Sequence, residues 1–270
     1  MARLWHPGLR VIFTEHGRLS DAPPSAKRRM ANRMLRQLPR RVFAVSDDLR
    51  HHLVAEGFSA QQVEIIYNGI ELSAAPTAEA RAEIRRSLAV SQDTFVIGTI
   101  ARLDPVKDLD TLISATVALG RSTSKPVALV VTGDGPERSR LEEMAARLGA
   151  GSMIRFLGHR EDARSVLAGC DVYANNSISE GVSLTILEAM AAALPVVATS
   201  VGGTPEVIDR TCGRLVPSRH VEAMERALAE LATQPALRIA LGQAARQRAE
   251  ARFTLERMVR EYRDAYQKVA

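Results

Sequence analysis

VYANNSISEGVSLTILEAMAAALPVVATSVGG, residues 172–203, contains one full strand–loop–helix–strand unit. Val172–Asn175 is a short apolar run and reads as a strand. Ser183–Ala193 repeats apolar residues at helical spacing. Val196–Thr199 is a second apolar strand, closed by the turn Gly202-Gly203. Neither strand alternates polar with apolar residues, so both faces are expected to be covered, as in a parallel sheet packed between helices. The same alternation extends upstream. Strands Phe95–Ala101, Val127–Thr132 and Met153–Leu157 are followed by helices Leu109–Leu119, Pro136–Leu148 and Asp162–Ala168, with Pro136 read as the first helical residue. Downstream come a short strand at Arg214–Val216 and helices Val221–Ala232, Pro235–Arg252 and Leu255–Val269. The fold class is α/β, and a sheet of this kind binds ligands beyond the carboxyl ends of its strands.

The first seventy or so residues repeat the pattern on a smaller scale. Strands are expected at Leu9–Phe13, Arg41–Val45 and Val63–Tyr67. Helices are expected at Ser25–Leu38, stopped by Pro39, and at Asp47–Glu56, capped by Ser46. A polar, Ala-rich linker at about Leu72–Glu79 leads to a helix over Ala80–Leu88. The chain is therefore divided into 1–72, a partial first domain; 73–252, a larger Rossmann-like domain; and 253–270, a C-terminal helix returning to the first part.

No apolar run reaches the ~18 residues of a membrane-spanning helix, and Met1–Arg10 lacks the apolar core of a secretory leader. A cytoplasmic location is expected. Cys170 and Cys212 have neither metal-ligand nor disulfide spacing and read as buried thiols, and no metal-binding cluster is visible. The net charge of +5 is uneven, because the first fifty residues hold eleven Arg or Lys against four Asp or Glu. Lys27, Arg28, Arg29, Arg33, Arg36, Arg40 and Arg41 dominate that excess, and 29, 33, 36 and 40 share a helical face. Such a face attracts anionic lipid or nucleic acid; a solvated surface accounts for it equally. No aromatic residues interleave it, which speaks against single-stranded nucleic acid.

Four motifs fall at strand ends. In Gly98–Lys107, Arg102 and Lys107 follow a strand, and two permanent cations five apart suit a diphosphate. Gly133-Asp134-Gly135-Pro136 allows a sharp turn at the binding edge, without the spacing of a dinucleotide fingerprint. A plain strand–helix turn explains it equally well. In Ser177–Met190, Gly181 permits close approach, and the amides of Val182, Ser183 and Leu184 open a helix as an anion site. Glu188 then falls where a ribose would sit, and Glu180 faces the sugar. Glu188 lies in a mostly apolar helix, where a carboxylate is costly without a partner. The fourth motif, Pro195–Glu206, carries the Gly202-Gly203 strand end.

In this order the motifs resemble the retaining glycosyltransferases of family four, which have the GT-B fold of two Rossmann-like domains. The resemblance runs from about Val11 to Val269 and is most specific from Ile97 to Pro205. It implies that Arg102 and Lys107 clamp the donor diphosphate, that Glu188 binds the ribose, that Glu180 contacts the donor sugar, and that backbone at Leu157-Gly158 meets the base. Thr14-Glu15-His16-Gly17 resembles the first-domain segment whose histidine reaches the cleft, which makes His16 a catalytic candidate beside Glu180. Asn68-Gly69-Ile70 resembles the turn before the interdomain linker. The implied reaction takes a UDP- or GDP-sugar as donor substrate, needs no cofactor or metal, and passes the sugar to a glycan or glycolipid acceptor in envelope polysaccharide or glycolipid synthesis. It implies no nucleic-acid partner. A peripheral contact with anionic membrane at the inner face is expected from the basic segment.

Three departures stand out. Asp108 occupies a position where the family often has Gly. Ala193 replaces a common helix-ending Gly, at a cost of about 1 kcal/mol if the cap is left-handed. The segment before the linker is shorter than a usual domain, so the resemblance begins partway through the first domain. A donor-binding fragment without turnover is the alternative.

Overall fold

The computed structural model describes residues 11–17, 25–35 and 39–268. The expectations for Met1–Arg10 and Arg36 lie outside what is described; Arg40 belongs to a strand and not to the helix, so it does not share the helical face expected with Arg29 and Arg33.

A parallel three-stranded sheet, ordered β1-β2-β3, contains β1 (Val11–Glu15), β2 (Pro39–Ala44) and β3 (Val63–Ile65), with helices α1 (Ala26–Leu35) and α2 (Asp47–Ala55) between them. Pro39 does not merely stop a helix. It begins β2, at the strand-start position where a missing amide is tolerated. The Ser46 hydroxyl caps α2 by accepting from the Leu49 amide at 3.1 Å. Helix α3 (Ala78–Ser87), capped by Thr77, leads to the larger sheet.

That sheet has six parallel strands: β4 (Phe95–Ile100), β5 (Val127–Thr132), β6 (Ile154–Gly158), β7 (Val172–Asn175), β8 (Val196–Thr199) and β9 (Gly213–Val216). Their order is β6-β5-β4-β7-β8-β9. Helices α4 (Leu109–Ser122), α5 (Arg138–Arg147), α6 (Ala163–Val166), α7 (Leu184–Ala191), α8 (Thr204–Val207), α9 (Val221–Thr233), α10 (Pro235–Arg252) and α11 (Leu255–Gln267) complete the chain. Two apolar layers cover the sheet. Val96, Val130 and Tyr173 face one, and Ile97, Leu129, Val131 and Val172 face the other.

Two boundaries differ from the sequence reading for identifiable reasons. Pro136 is not the first residue of α5. The Glu137 amide is drawn to the Leu103 carbonyl at 3.0 Å, which folds Gly133–Glu137 over the β4 loop and delays the helix to Arg138. The helix expected over Asp162–Ala168 is α6 followed by a 3-10 turn at Leu167–Gly169.

The two sheets are joined at several points. Ile70 donates to the Phe253 carbonyl at 2.9 Å and accepts from Leu255 at 2.8 Å, so the chain entering α11 lies beside the Asn68–Ile70 turn. From there α11 packs Tyr262 edge-on against Phe43 and adds Ala265 to a small cluster with Ile66 on the first sheet. Arg85 of α3 is fully buried. It donates to the Gly169 carbonyl at 2.9 Å, to Asp171 at 3.3 Å, and to the Ser91 and Thr94 carbonyls.

Candidate active site

The larger sheet runs outward in opposite directions from the β4–β7 pair. This reversal opens a crevice beyond their carboxyl ends, the usual ligand site of such sheets. The Arg102–Lys107 loop leaves β4 there, and the Ser177–Gly181 loop leaves β7. Ile178 donates to the Val106 carbonyl at 2.8 Å and ties the two together.

Gly202 stands at φ +52 directly against Glu180, so a Cβ there would overlap the Glu180 carbonyl oxygen. The neighbouring Gly203 amide donates to that same carbonyl at 3.3 Å. The strand-end glycines after β8 thus hold the Glu180 loop in place. From the other side, a Cβ on Gly181 would sit 2.5 Å from the His16 carbonyl oxygen. The first sheet therefore meets the second at the Glu180–Gly181 loop, through the segment that carries His16. The His16 side chain itself is exposed.

Glu180 is mostly buried. Its Oε2 accepts from Lys107 Nζ at 2.8 Å and from Ser177 Oγ at 2.7 Å. Glu188, on α7, is similarly buried; its Oε1 accepts from Arg164 Nε at 2.9 Å, and Arg164 Nη2 stands 2.9 Å from the same oxygen as an ion pair. Among the described residues, Glu180 Oε1 and Glu188 Oε2 have no partner. Each carboxylate is thus anchored through one oxygen and leaves the other available to accept.

The remaining sequence candidates are distributed around these two. Lys107 lies against Glu180. Arg102 is held by Asp104 through Nε at 2.6 Å, with its side chain 76% exposed, so the two cations have separate carboxylate partners. Helix α7 opens at Ser183 with no side-chain cap, which leaves the Val182–Leu184 end available to an anion. Asn68 Nδ2 donates to the Val182 carbonyl at 2.9 Å and fixes that end from the linker side. The Gly158 carbonyl accepts from Gly133 at 2.8 Å, and Leu157 is half-buried against the core.

A cavity of about 520 Å³ opens at this edge, lined by Arg102, Thr132, Asp134, His159, Arg160 and Thr185 among others. It lies within the size range of small-ligand sites. Thr132 Oγ1 is buried there without a partner. The Asp134 carboxyl is held below its usual range by the Gly135 amide and Arg138. A hollow of about 700 Å³ near Asp209 and Arg214 touches the fourth motif only at Pro205 and is lined by none of the candidate site residues. Among the described residues no group of His, Cys, Asp and Glu is arranged to hold a metal ion. Both cysteines are buried, and burial pushes the Cys170 thiol up to about 12.

Sequence reasoning missed Arg164 and Glu206. Glu206, from the Gly202–Glu206 segment, accepts from the Asp47 amide at 2.9 Å, the Asp48 amide at 3.2 Å and the Tyr67 hydroxyl at 2.8 Å, all from the first-sheet half. The Pro-Glu pair after the Gly-Gly turn was the available signal for Glu206.

The family described as "Glycosyl transferases group 1" matches residues 80–248, and "Glycosyltransferase Family 4" matches residues 1–74. A D-inositol 3-phosphate glycosyltransferase of Kribbella flavida is 32% identical over 266 residues, covering 93% of this chain and 62% of that protein. The same-named protein of Saccharomonospora viridis is 36% identical over 69% of this chain and 46% of its own length. A Corynebacterium glutamicum protein named as a GDP-mannose-dependent phosphatidylinositol monomannoside mannosyltransferase is 32% identical over 67% of this chain and 49% of its length. The chain thus spans roughly half to three fifths of these relatives. Anabaena HepE, crystallised with UDP, superposes with a TM-score of 0.88 at 24% identity over 96% of this chain and 72% of HepE.

Proposed function

The chain belongs to the group 1 glycosyl transferases and has the GT-B fold, and from that membership we propose that it takes a nucleotide diphosphate sugar into the β4–β7 crevice and transfers the sugar, with retention, to an acceptor hydroxyl. The observation that carries this reading is the pair of glutamates, each tied by one oxygen to a cation and each with a second oxygen that has no partner among the described residues. Glu188 receives the ribose hydroxyls and Glu180 the donor sugar, with His16 brought to the same loop by its backbone. Lys107, Arg102 and the opening of α7 stabilise the charge that develops on the leaving diphosphate. The base lies along Leu157-Gly158. Neither glutamate is assigned as a nucleophile, so the paired-carboxylate scheme of retaining glycosidases does not apply. Departure of the diphosphate with attack from the same face remains.

UDP- and GDP-sugars are both supported as donors. HepE is crystallised with UDP-glucose, and the Corynebacterium protein is named for GDP-mannose. That same name supports a glycolipid acceptor in envelope synthesis. On α1, Met30 and Met34 are 67% and 77% exposed, and Arg29 and Arg33 are exposed next to them in sequence, although the Arg33 stem packs by Gly57 and Arg28 turns inward to Glu56 at 2.8 Å. This face favours peripheral contact with an anionic bilayer. It predicts binding to phosphatidylglycerol vesicles that weakens with salt; absence of binding at low salt removes the contact from the proposal.

The transfer reading is tested by incubating the chain with UDP-glucose and GDP-mannose and measuring nucleoside diphosphate release with and without glycolipid acceptors. Glu180→Gln is expected to retain nucleotide binding and lose turnover by roughly a hundredfold, the scale of a lost transition-state contact. The alternative is a donor-binding module without transfer. Nucleotide binding with no release from either sugar, whatever the acceptor, favours that reading.

A further inference from the structure

We infer that Arg164 is the positioning residue that gives Glu188 its selectivity for a ribose over a deoxyribose nucleotide. The inference rests on the reading of Glu188 as the ribose ligand. Arg164 stands on α6, immediately after the β6 edge, and two of its guanidinium nitrogens converge on one oxygen of Glu188, each at 2.9 Å. A single-oxygen grip of this kind fixes both the rotamer and the rotation of the carboxylate. It leaves Oε2 as the acceptor, with no partner among the described residues.

The turn that carries Arg164 is itself held. Arg160 binds Asp162 through Nε and Nη2, both at 2.8 Å, and Ser165 donates to the same carboxylate at 3.0 Å. Arg160, Ala163 and Thr185 line the 520 Å³ cavity, and Arg164 and Glu188 line a separate pocket by the linker. Thr185 and Glu188 are three residues apart on α7 and share a face. Arg164 therefore links the edge of the nucleoside-sized cavity to the carboxylate one helical turn along.

The bland alternative is a surface ion pair. Arg164 is 58% exposed, which screens the pair, while Glu188 is only 13% exposed, so loss of the arginine should lower stability modestly. A positional role makes a further prediction that a stabilising one does not. Loss of Arg164 should change which nucleotide is bound.

The test is calorimetric titration of UDP or GDP, whichever binds, and of its 2′-deoxy and 3′-deoxy forms, into wild type, Arg164→Ala, Arg164→Lys and Glu188→Gln. Wild type is expected to prefer the ribonucleotide by roughly tenfold or more over at least one deoxy form, the scale of a charged hydrogen bond. Arg164→Ala should reduce that ratio severalfold and bind the deoxy form as wild type does, with at most a modest fall in urea midpoint. Arg164→Lys should restore part of the ratio. Loss of the ratio in Glu188→Gln with none in Arg164→Ala overturns the role of Arg164 alone. An unchanged ratio in Glu188→Gln overturns the ribose reading and this inference with it, as does failure of both nucleotides to bind. Equal weakening of ribo and deoxy forms by Arg164→Ala makes Arg164 a direct ligand contact and contradicts the positioning role.

Discussion

At the residue scale, both of the chain's local departures from the family pattern lie in the left-handed backbone region. Ala193 has φ +58 at the end of α7, and Asp108 has φ +45 between the Pro105–Lys107 turn and α4. A Cβ there crowds the carbonyl, which is why glycine is favoured at such positions. Ala193→Gly is expected to stabilise the protein by about 1 kcal/mol after the greater freedom of glycine in the unfolded chain is allowed for. A rise in urea midpoint with an unchanged slope measures it. Asp108→Gly should act in the same direction and also remove a carboxyl whose pKa burial raises and whose Oδ2 has no partner. Cys170 gives a pH signature. Its thiol ordinarily ionises near 9.0 and is pushed by burial to about 12. A folded pKa above the unfolded one contributes stability that is complete below pH 9 and is lost as pH rises toward 12. Alkylation at pH 8 should be negligible in the native protein and rapid in urea, and Cys170→Ala should flatten the alkaline limb of the stability curve.

At the scale of elements, the site is built by loops locked to one another across the sheet. Gly202→Ala places a methyl against the Glu180 carbonyl and must displace the loop bearing that carboxylate. Loss of transfer and a destabilisation of about 1–3 kcal/mol are expected, from chemical denaturation and turnover on the same sample. The Glu180 and Glu188 segments are legible in the sequence because the glutamates, glycine and apolar helix lie within one short stretch. Arg164 and Glu206 are not, because each acts through a partner 24 or 159 residues away, and the Pro-Glu pair that marks Glu206 locally does not say what it meets. The same holds for Arg85. Its α3 sequence reads as a polar surface helix, yet the guanidinium is fully buried beneath the second sheet, where Asp171 also accepts from Arg81 and the Val96 amide. Asp171→Ala should cost about 3–5 kcal/mol, because it leaves that buried cation uncompensated; thermal or urea unfolding reads it directly.

For the molecule as a whole, the parallel alternation of strands and helices and the positions of the strand ends follow from alternating apolar runs, whereas the strand order β6-β5-β4-β7-β8-β9 is seen only in the structure. The way the two sheets meet is likewise not readable from sequence, since it depends on a few side chains from distant segments. Glu206 is the densest of these contacts, gathering the first amides of α2 and the Tyr67 hydroxyl onto one carboxylate. Burial first and Glu206 second raise the Tyr67 pKa to about 12. In Glu206→Ala that value should fall only part of the way to 10.0, which ultraviolet titration follows. The two helix amides left without an acceptor should cost about 1–2 kcal/mol. Glu206 touches none of the donor-site side chains described above, so nucleotide affinity should change less than stability does.

The measurement closest to the central claim is calorimetric titration of UDP and GDP into the wild-type chain and into Glu188→Ala. One nucleotide binding wild type, and binding Glu188→Ala more weakly by about 1.5–3 kcal/mol, is the expected result and places the donor at the β4–β7 crevice. Equal binding to both proteins, or none to wild type at millimolar nucleotide, would contradict it.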